Sequence, residues 1–176
     1  TENLYDYLYN QDTDFHKHFK TSAEFDSVMP LSQDNLARYI GFIRMIEDDE
    51  KLLTFESDGI ARVVQYGILL AEQRDKISTQ FSLVADLLRE SSYWADKMGR
   101  RKVGREAVEK ALNERKYLAG LPEEKMVEMI STGEINMLFS GRKIGTINGL
   151  AIHDRGYYSF GLPTVVSARV APGNEG

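Results

Sequence analysis

The feature that most constrains the fold is a change of hydrophobic period late in the chain. Up to Gly133 apolar residues recur almost entirely at helical spacing. Lys143 to Gly161, reading KIGTINGLAIHDRGYYSFG, switches to the two-residue period of strands, with glycines and aromatics at the turns. A strand whose register slips by one residue turns its buried set outward, so neither pattern can stand in for the other. The chain is therefore expected to be mainly α: a compact helical unit followed by a short antiparallel hairpin or meander.

Four helices account for the helical unit. Ser32 and Asp34 offer N-caps to the first, whose apolar positions are Leu36, Tyr39, Ile40, Ile43 and Ile46, ahead of the acidic run Glu47 to Glu50. Ser57-Asp58 is placed to cap the second, with Ile60, Val63, Val64, Ile68 and Leu70-Ala71 on its stripe. Ser78 opens the third, which buries Phe81, Val84, Leu87, Leu88, Trp94 and Ala95 and stops at Gly99. Val103-Gly104-Arg105-Glu106 begins the fourth, carried by Ala107, Val108, Ala111 and Leu112 and extended by Tyr117-Leu118. Connections this short pack neighbouring helices antiparallel or at steep angles around one core. Ahead of them, Leu4 to Tyr9 and Phe15 to Phe19 each suit a turn or two of helix, the second capped by Asp12 or Thr13. Ser22 to Phe25 reads as extended chain in search of an edge, and Pro30 closes that segment.

Gly120-Leu121-Pro122 is the linker, with Pro122 suited to the first turn of a short helix through Glu123 to Ile130 that ends at Ser131-Thr132-Gly133. Ile135 to Phe139, a turn at Ser140 to Lys143, and Ile144 to Ile152 form a hairpin signature. His153 to Gly156 makes the next turn and Thr164 to Val170 a third, β-branched strand. Three such strands on one helix make a poor core with open edges, so the sheet is expected to continue beyond Gly176 or to be completed by a partner. These boundaries divide the chain into residues 1–30, 31–119 and 120–176.

Composition narrows the functions. With 176 residues, 42% of them hydrophobic, the chain can bury one sizeable core. A net charge of −5 argues against generic binding to nucleic acid or anionic lipid. The one basic cluster, Arg100-Arg101-Lys102, reads as a solvated loop between helices. The absence of cysteine excludes disulfides and thiolate metal sites and suits a reducing compartment. No apolar run approaches the roughly 20 residues of a membrane span.

Residues that could carry chemistry are few. His16 and His18, two apart, point to different faces of a helix and do not share a metal. His153 beside Asp154 reads as a solvated turn rather than an acid–base pair. Glu47 to Glu50 lacks the alternating spacing and glycine of a calcium loop and reads as a frayed, solvated helix end. Ser159 has no nucleophile elbow around it, and Gly141, Gly145 and Gly149 match no phosphate loop. No metal site and no complete active site is expected.

Gly145-Thr146-Ile147-Asn148-Gly149-Leu150-Ala151, followed by Gly156-Tyr157-Tyr158-Ser159-Phe160-Gly161-Leu162-Pro163, resembles the opening of a Lon-family proteolytic domain. There a G-x-[VI]-N-G-L-A strand leads through G-x-x-x-F-G-x-P to the next strand. Ala168 to Gly173 is similar to that family's strand before its P-G turn. Ile77-Ser78 through Arg89-Glu90 and Tyr93-Trp94-Ala95 is similar to the sensor-2 helix of an AAA+ helical lid, and Val103 to Leu112 to the last lid helix. Leu4 to Phe25 looks like the piece between the sensor-1 strand and the lid.

The resemblance implies a fragment of an ATP-dependent serine endopeptidase: the end of an AAA+ large subdomain, its four-helix lid, and the first strands of an incomplete α+β protease domain. It implies a parent that is a hexameric, cytoplasmic ring acting on unfolded or damaged proteins, with no nucleic acid or membrane partner. The Walker motifs, and with them ATP and Mg²⁺, would lie upstream of Thr1. The Ser–Lys pair would lie beyond Gly176, so no catalytic residue and no bound cofactor is expected in this piece. Arg89 is the one position to carry a role over, as the sensor-2 arginine reaching the nucleotide's terminal phosphates; otherwise it pairs with Glu90 or Asp86, or is solvated. Leu69 stands where the family often has a basic residue, Gly104 replaces the usual Ser or Thr cap, and Lys17 and Lys20 lie where a trans-acting arginine is usual. The competing expectation is a self-contained helical adaptor whose C-terminal strands pair with a partner's sheet edge.

Overall fold

The computed structural model describes residues 2–21, 23–135, 137–154 and 159–171, without the side chains of Glu2, Asn3, His16 and Asp154. Ser22 at the start of the expected extended segment, Asn136, the turn residues Arg155 to Tyr158 and the closing Pro172-Gly173 lie outside the described residues.

Among the described residues the chain runs α1 (Glu2–Gln11), α2 (Phe15–His18), β1 (Val28–Pro30), α3 (Gln33–Asp49), α4 (Ser57–Ala71), β2 (Lys76–Ser78), α5 (Phe81–Lys97), α6 (Arg105–Ala119), α7 (Leu121–Ser131), β3 (Thr146–Asp154) and β4 (Ser159–Ser167). It is mainly helical, with two small antiparallel sheets, β1–β2 and β3–β4. One core joins Tyr39 and Ile43 of α3, Ile60, Val63 and Tyr66 of α4, Val84, Leu87, Leu88 and Ala95 of α5, and Ala107, Val108 and Ala111 of α6. Tyr117 and Leu118 do not extend that stripe; they are 74% and 79% exposed, because the covered face of α6 runs on through Arg115 to the buried Ala119 and leaves both outside it.

Local cap chemistry explains two helix ends. Ser32 caps α3 by accepting from the Asn35 N–H. Gly99, at φ +69, ends α5: its N–H reaches the Asp96 carbonyl and that of Arg100 the Ala95 carbonyl, the paired bonds of a Schellman stop. Three expected caps are corrected. The N-cap of α2 is Asp14, with no side-chain cap bond, rather than Asp12 or Thr13. The N-cap of α4 is Glu56 rather than Ser57-Asp58, since the Glu56 N–H is already bonded to the Val103 carbonyl at 2.9 Å. Ser78 belongs to β2, and α5 starts at Phe81; its hydroxyl instead accepts from the Gln80 N–H at 3.1 Å.

The extended chain near the N-terminus finds its edge later than expected. Val28, Met29 and Pro30, not Ala23 to Phe25, pair with Ser78, Ile77 and Lys76. A second link sits under α4, where Phe55 and Val103 form an isolated parallel bridge beside Gly59. In front of α3, α1 and α2 hold together through the rings of Tyr5, Tyr9, Phe15 and Phe19.

The C-terminal sheet also differs from its expected pairing. Residues 146–154 pair with 159–167 in continuous register, from Thr146↔Ser167 to Asp154↔Ser159, and not with Ile135 to Phe139. The second strand thus begins before Thr164 and ends before Val170. Its Pro163, which lacks an N–H, sits opposite Leu150 where an edge strand tolerates it. Leu138 of the earlier run approaches and bonds to a side chain: Asn148 donates to its carbonyl at 2.6 Å and accepts from its N–H at 3.3 Å. Asn148 thereby takes the place of a third strand's backbone. Gly145 is required here: its φ is +69, and a Cβ would lie 2.6 Å from the Ala168 carbonyl oxygen.

Candidate functional site

α5 is built so that its polar face lies outward. Leu87, Leu88 and Ser91 are fully buried, which leaves Asp86, Arg89 and Tyr93 on the open face. The Arg89 side chain is 47% exposed, yet its charged end is engaged. Its Nε and Nη2 donate to the two oxygens of Glu50 at 2.7 and 2.6 Å, and its Nη1 donates to Asp86 at 2.6 Å. The hydrogen bonds from Glu50, then Asp86, raise the Arg89 guanidinium above its ordinary value. The same guanidinium holds the Glu50 carboxyl below the usual carboxylate range, so the pair stays ionised.

Of the two partners expected for Arg89, Asp86 is present and Glu90 is not. Glu90 turns to Arg115 of α6, which donates from Nε at 2.5 Å and from Nη2 at 2.9 Å. The Nη1 of Arg115 also donates to the Tyr66 hydroxyl of α4 at 3.2 Å, joining three helices. Burial works against the charge on Arg115, but the bond and charge of Glu90 outweigh it and raise the guanidinium. Burial pushes the Tyr66 hydroxyl up against the opposing pull of Arg115. The side chain of Arg115 is only 13% exposed, so this second arginine is part of the packing and not open to a ligand.

The acidic run is solvated at Asp48, Asp49 and Glu50, as expected, but not at Glu47. Glu47 is 7% exposed and its Oε2 accepts from the Phe55 N–H at 3.2 Å and from Arg44 at 2.7 Å. Helix α3 continues to Asp49, and Glu50, its C-cap, is the residue that meets Arg89. Sequence reading missed Glu50 as a site residue. The available signal was charge placement: four acids crowd the negative end of the helix dipole with no basic residue in the last turn, so a cation must come from elsewhere.

The other residues singled out stay apart. Lys17 is exposed and paired with Asp14 at 2.6 Å, and His18 lies exposed at the end of α2. His153 stacks on Phe160 across the hairpin with ring centroids 5.7 Å apart. Ser159 starts β4, while Leu69 is 70% exposed on α4. Gly104 caps α6 without a side chain, and Asp58 of α4 supplies the missing acceptor by taking the Arg105 N–H at 3.2 Å. The loop Arg100 to Lys102 is exposed, with Arg100 paired to Glu106 at 3.1 Å. Among the described residues, no group of three or more His, Cys, Asp or Glu is arranged to hold a metal ion, and no helix is long and apolar enough to cross a membrane. The half-exposed Arg89 guanidinium grips one carboxylate by two bonds, the geometry in which arginine also grips phosphate.

Residues 54–117 match the family model described as Archaeal LonB, AAA+ ATPase LID domain. The matched stretch contains α4, β2, α5 and nearly all of α6, so Arg89 lies inside it and Glu50 just outside. The match supports a Lon-family AAA+ lid over these residues. No curated protein matches the chain.

Proposed function

We propose that this chain is the AAA+ lid and adjoining segments of a Lon-type, ATP-dependent serine endopeptidase that degrades unfolded or damaged proteins. One observation carries the reading: the lid family's match falls on the helical unit that presents Arg89, half exposed and already holding oxyanions, at its surface. In this reading residues 31–119 form a four-helix lid, residues 1–30 end the large AAA+ subdomain, and residues 120–176 lead into the first strands of the peptidase domain. ATP, with Mg²⁺ held outside the lid, supplies the phosphates. Arg89 neutralises charge on the terminal ones, and α6 and α7 pass the lid's movement to the C-terminal segment.

The parent works as a hexameric ring in the cytoplasm, and its Ser–Lys pair lies outside residues 1–176, so this piece transmits rather than cleaves. A second reading, a helical adaptor whose strands join a partner's sheet, draws on the hairpin, where Leu150 and Ile152 are 71% and 76% exposed. The neighbouring coding sequence separates the two: a Walker lysine upstream and a Ser–Lys pair downstream favour the first, and stop codons at both ends sink it. For the site itself, Arg89→Ala in the parent is expected to lower ATP turnover about tenfold or more at an unchanged unfolding midpoint. Turnover equal to the wild type would remove Arg89 from the nucleotide site.

A further inference from the structure

Arg89 cannot offer a phosphate its Nε–Nη2 edge while Glu50 holds that edge as it does here. Asp86 lies one turn earlier on the same helix and moves with it. Glu50 does not: it closes α3, 39 residues away, and takes two of the arginine's donors at 2.7 and 2.6 Å. Two parallel bonds to one planar anion are also the arrangement by which arginine grips a phosphate, so the same donors cannot serve both at once.

We propose that Glu50 is a built-in competitor for the phosphate on Arg89, a carboxylate latch that nucleotide displaces. The inference rests on the reading of Arg89 as a phosphate contact. Two further observations support it. First, α3 ends in Glu47, Asp48, Asp49 and Glu50 with no base in its last turn, at the negative pole of its dipole. Taking Arg89 away leaves Glu50 without its cation at that end, so phosphate binding on α5 is felt at the tip of α3 and vice versa. Second, the loop after α3 is anchored without the latch. The Leu53 N–H donates to the Ser92 hydroxyl at 2.9 Å, and the Phe55 N–H to Glu47 at 3.2 Å. The latch can therefore open while the loop and the helix packing stay in place. Nucleotide state would reach α3 by this route as well as α7 through α6.

The test is a titration of this chain with sodium tripolyphosphate at about 0.15 M salt, following the backbone amide resonances of α5 by ¹H–¹⁵N NMR in every variant and the Nε–H resonance of Arg89 where it is present. Glu50→Gln keeps the shape and removes the competing charge. Asp49→Asn removes the same charge one residue away, from a carboxylate that is not among the partners of Arg89. Glu50→Gln is expected to tighten binding about fivefold, the upper range for a half-exposed pair, and Asp49→Asn by less than about twofold. Equal gains in the two variants would mean bulk charge and overturn the latch. If Arg89→Gln abolishes binding while Glu50→Gln changes nothing, the latch falls and the phosphate contact stands. If Arg89→Gln binds like the wild type, the phosphate contact falls and takes the latch with it. Absence of binding even in Glu50→Gln overturns the latch, because a freed Arg89 should then be available. A merely structural role for Glu50 would move the urea midpoint of Glu50→Gln and leave the affinity alone.

Discussion

The sharpest test of the packing lies at Tyr39, whose side chain is 1% exposed and whose hydroxyl has no hydrogen-bond partner among the described residues. Burial pushes that hydroxyl's ionisation well above its ordinary value. Its oxygen presses on α4 at Gly67, where an added Cβ would stand 2.4 Å from the Tyr39 oxygen and 3.0 Å from both Tyr39 Cζ and Ile77 Cγ1. An unpaired buried hydroxyl costs about 1–3 kcal/mol, and deleting it opens only a small void. Tyr39→Phe should therefore raise stability by about 1 kcal/mol. Gly67→Ala gains about 1 kcal/mol of helix propensity but overpacks the site by about 2–3 kcal/mol, for a net loss of about 1–2 kcal/mol. In the double variant the worst contact is gone and the two at 3.0 Å remain. The pair should then couple favourably by about 1 kcal/mol. Urea unfolding of the four proteins at a common slope measures each corner of the cycle. A loss above about 1 kcal/mol in Tyr39→Phe would show that the hydroxyl is satisfied after all, and an additive cycle would show that its oxygen does not set the limit at residue 67.

Two more outcomes follow from the same packing. At Gly59 an added Cβ would lie 2.4 Å from the Val103 carbonyl oxygen, which is backbone and already bonded to Glu56. Gly59→Ala should cost about 2–3 kcal/mol by urea unfolding, and no side-chain change at 103 should rescue it. Arg115→Met removes the link among α4, α5 and α6 at a site only 13% exposed. It should cost about 1–3 kcal/mol, and less in a Glu90→Gln background; equal losses in both backgrounds would mean that the pair contributes nothing to the fold.

How much of this was legible in the sequence depends on distance along the chain. The start of α3 and the end of α5 were readable because their signals are local: Ser32 bonds a residue three positions on, and Gly99 ends α5 with bonds that stay within one turn. The partner of β3 was not. Ile135 to Phe139 and Ser159 to Ser167 are both apolar enough to pair with residues 146–154, and period alone does not choose between them. The choice falls to details that period does not encode, such as the Asn148 carboxamide taking the Leu138 backbone and leaving the long register to β4. The same holds for β1 and β2, three residues each, and for Asp58, which caps α6 from a position 47 residues earlier.

The acidic end of α3 shows what a sequence can say about a site it does not reveal. Four consecutive acids at the negative pole of a helix are a local conflict, since the dipole and mutual repulsion both oppose them. Such a conflict requires an answer elsewhere in the fold, and the sequence states the demand without stating who meets it. Here the answers divide by depth. Glu47 is met in the interior by the Phe55 N–H and by Arg44, while Glu50 is met at the surface by Arg89. A stable fold alone would be served by a lysine or arginine in the last turn of α3 itself, at the cost of no long-range contact. Placing the cation instead on α5, half exposed and one turn from a second carboxylate, ties the end of one helix to an arginine that another anion can reach. In the proposed latch, the unfavourable charge at the end of α3 is what would give the Arg89 site a second state.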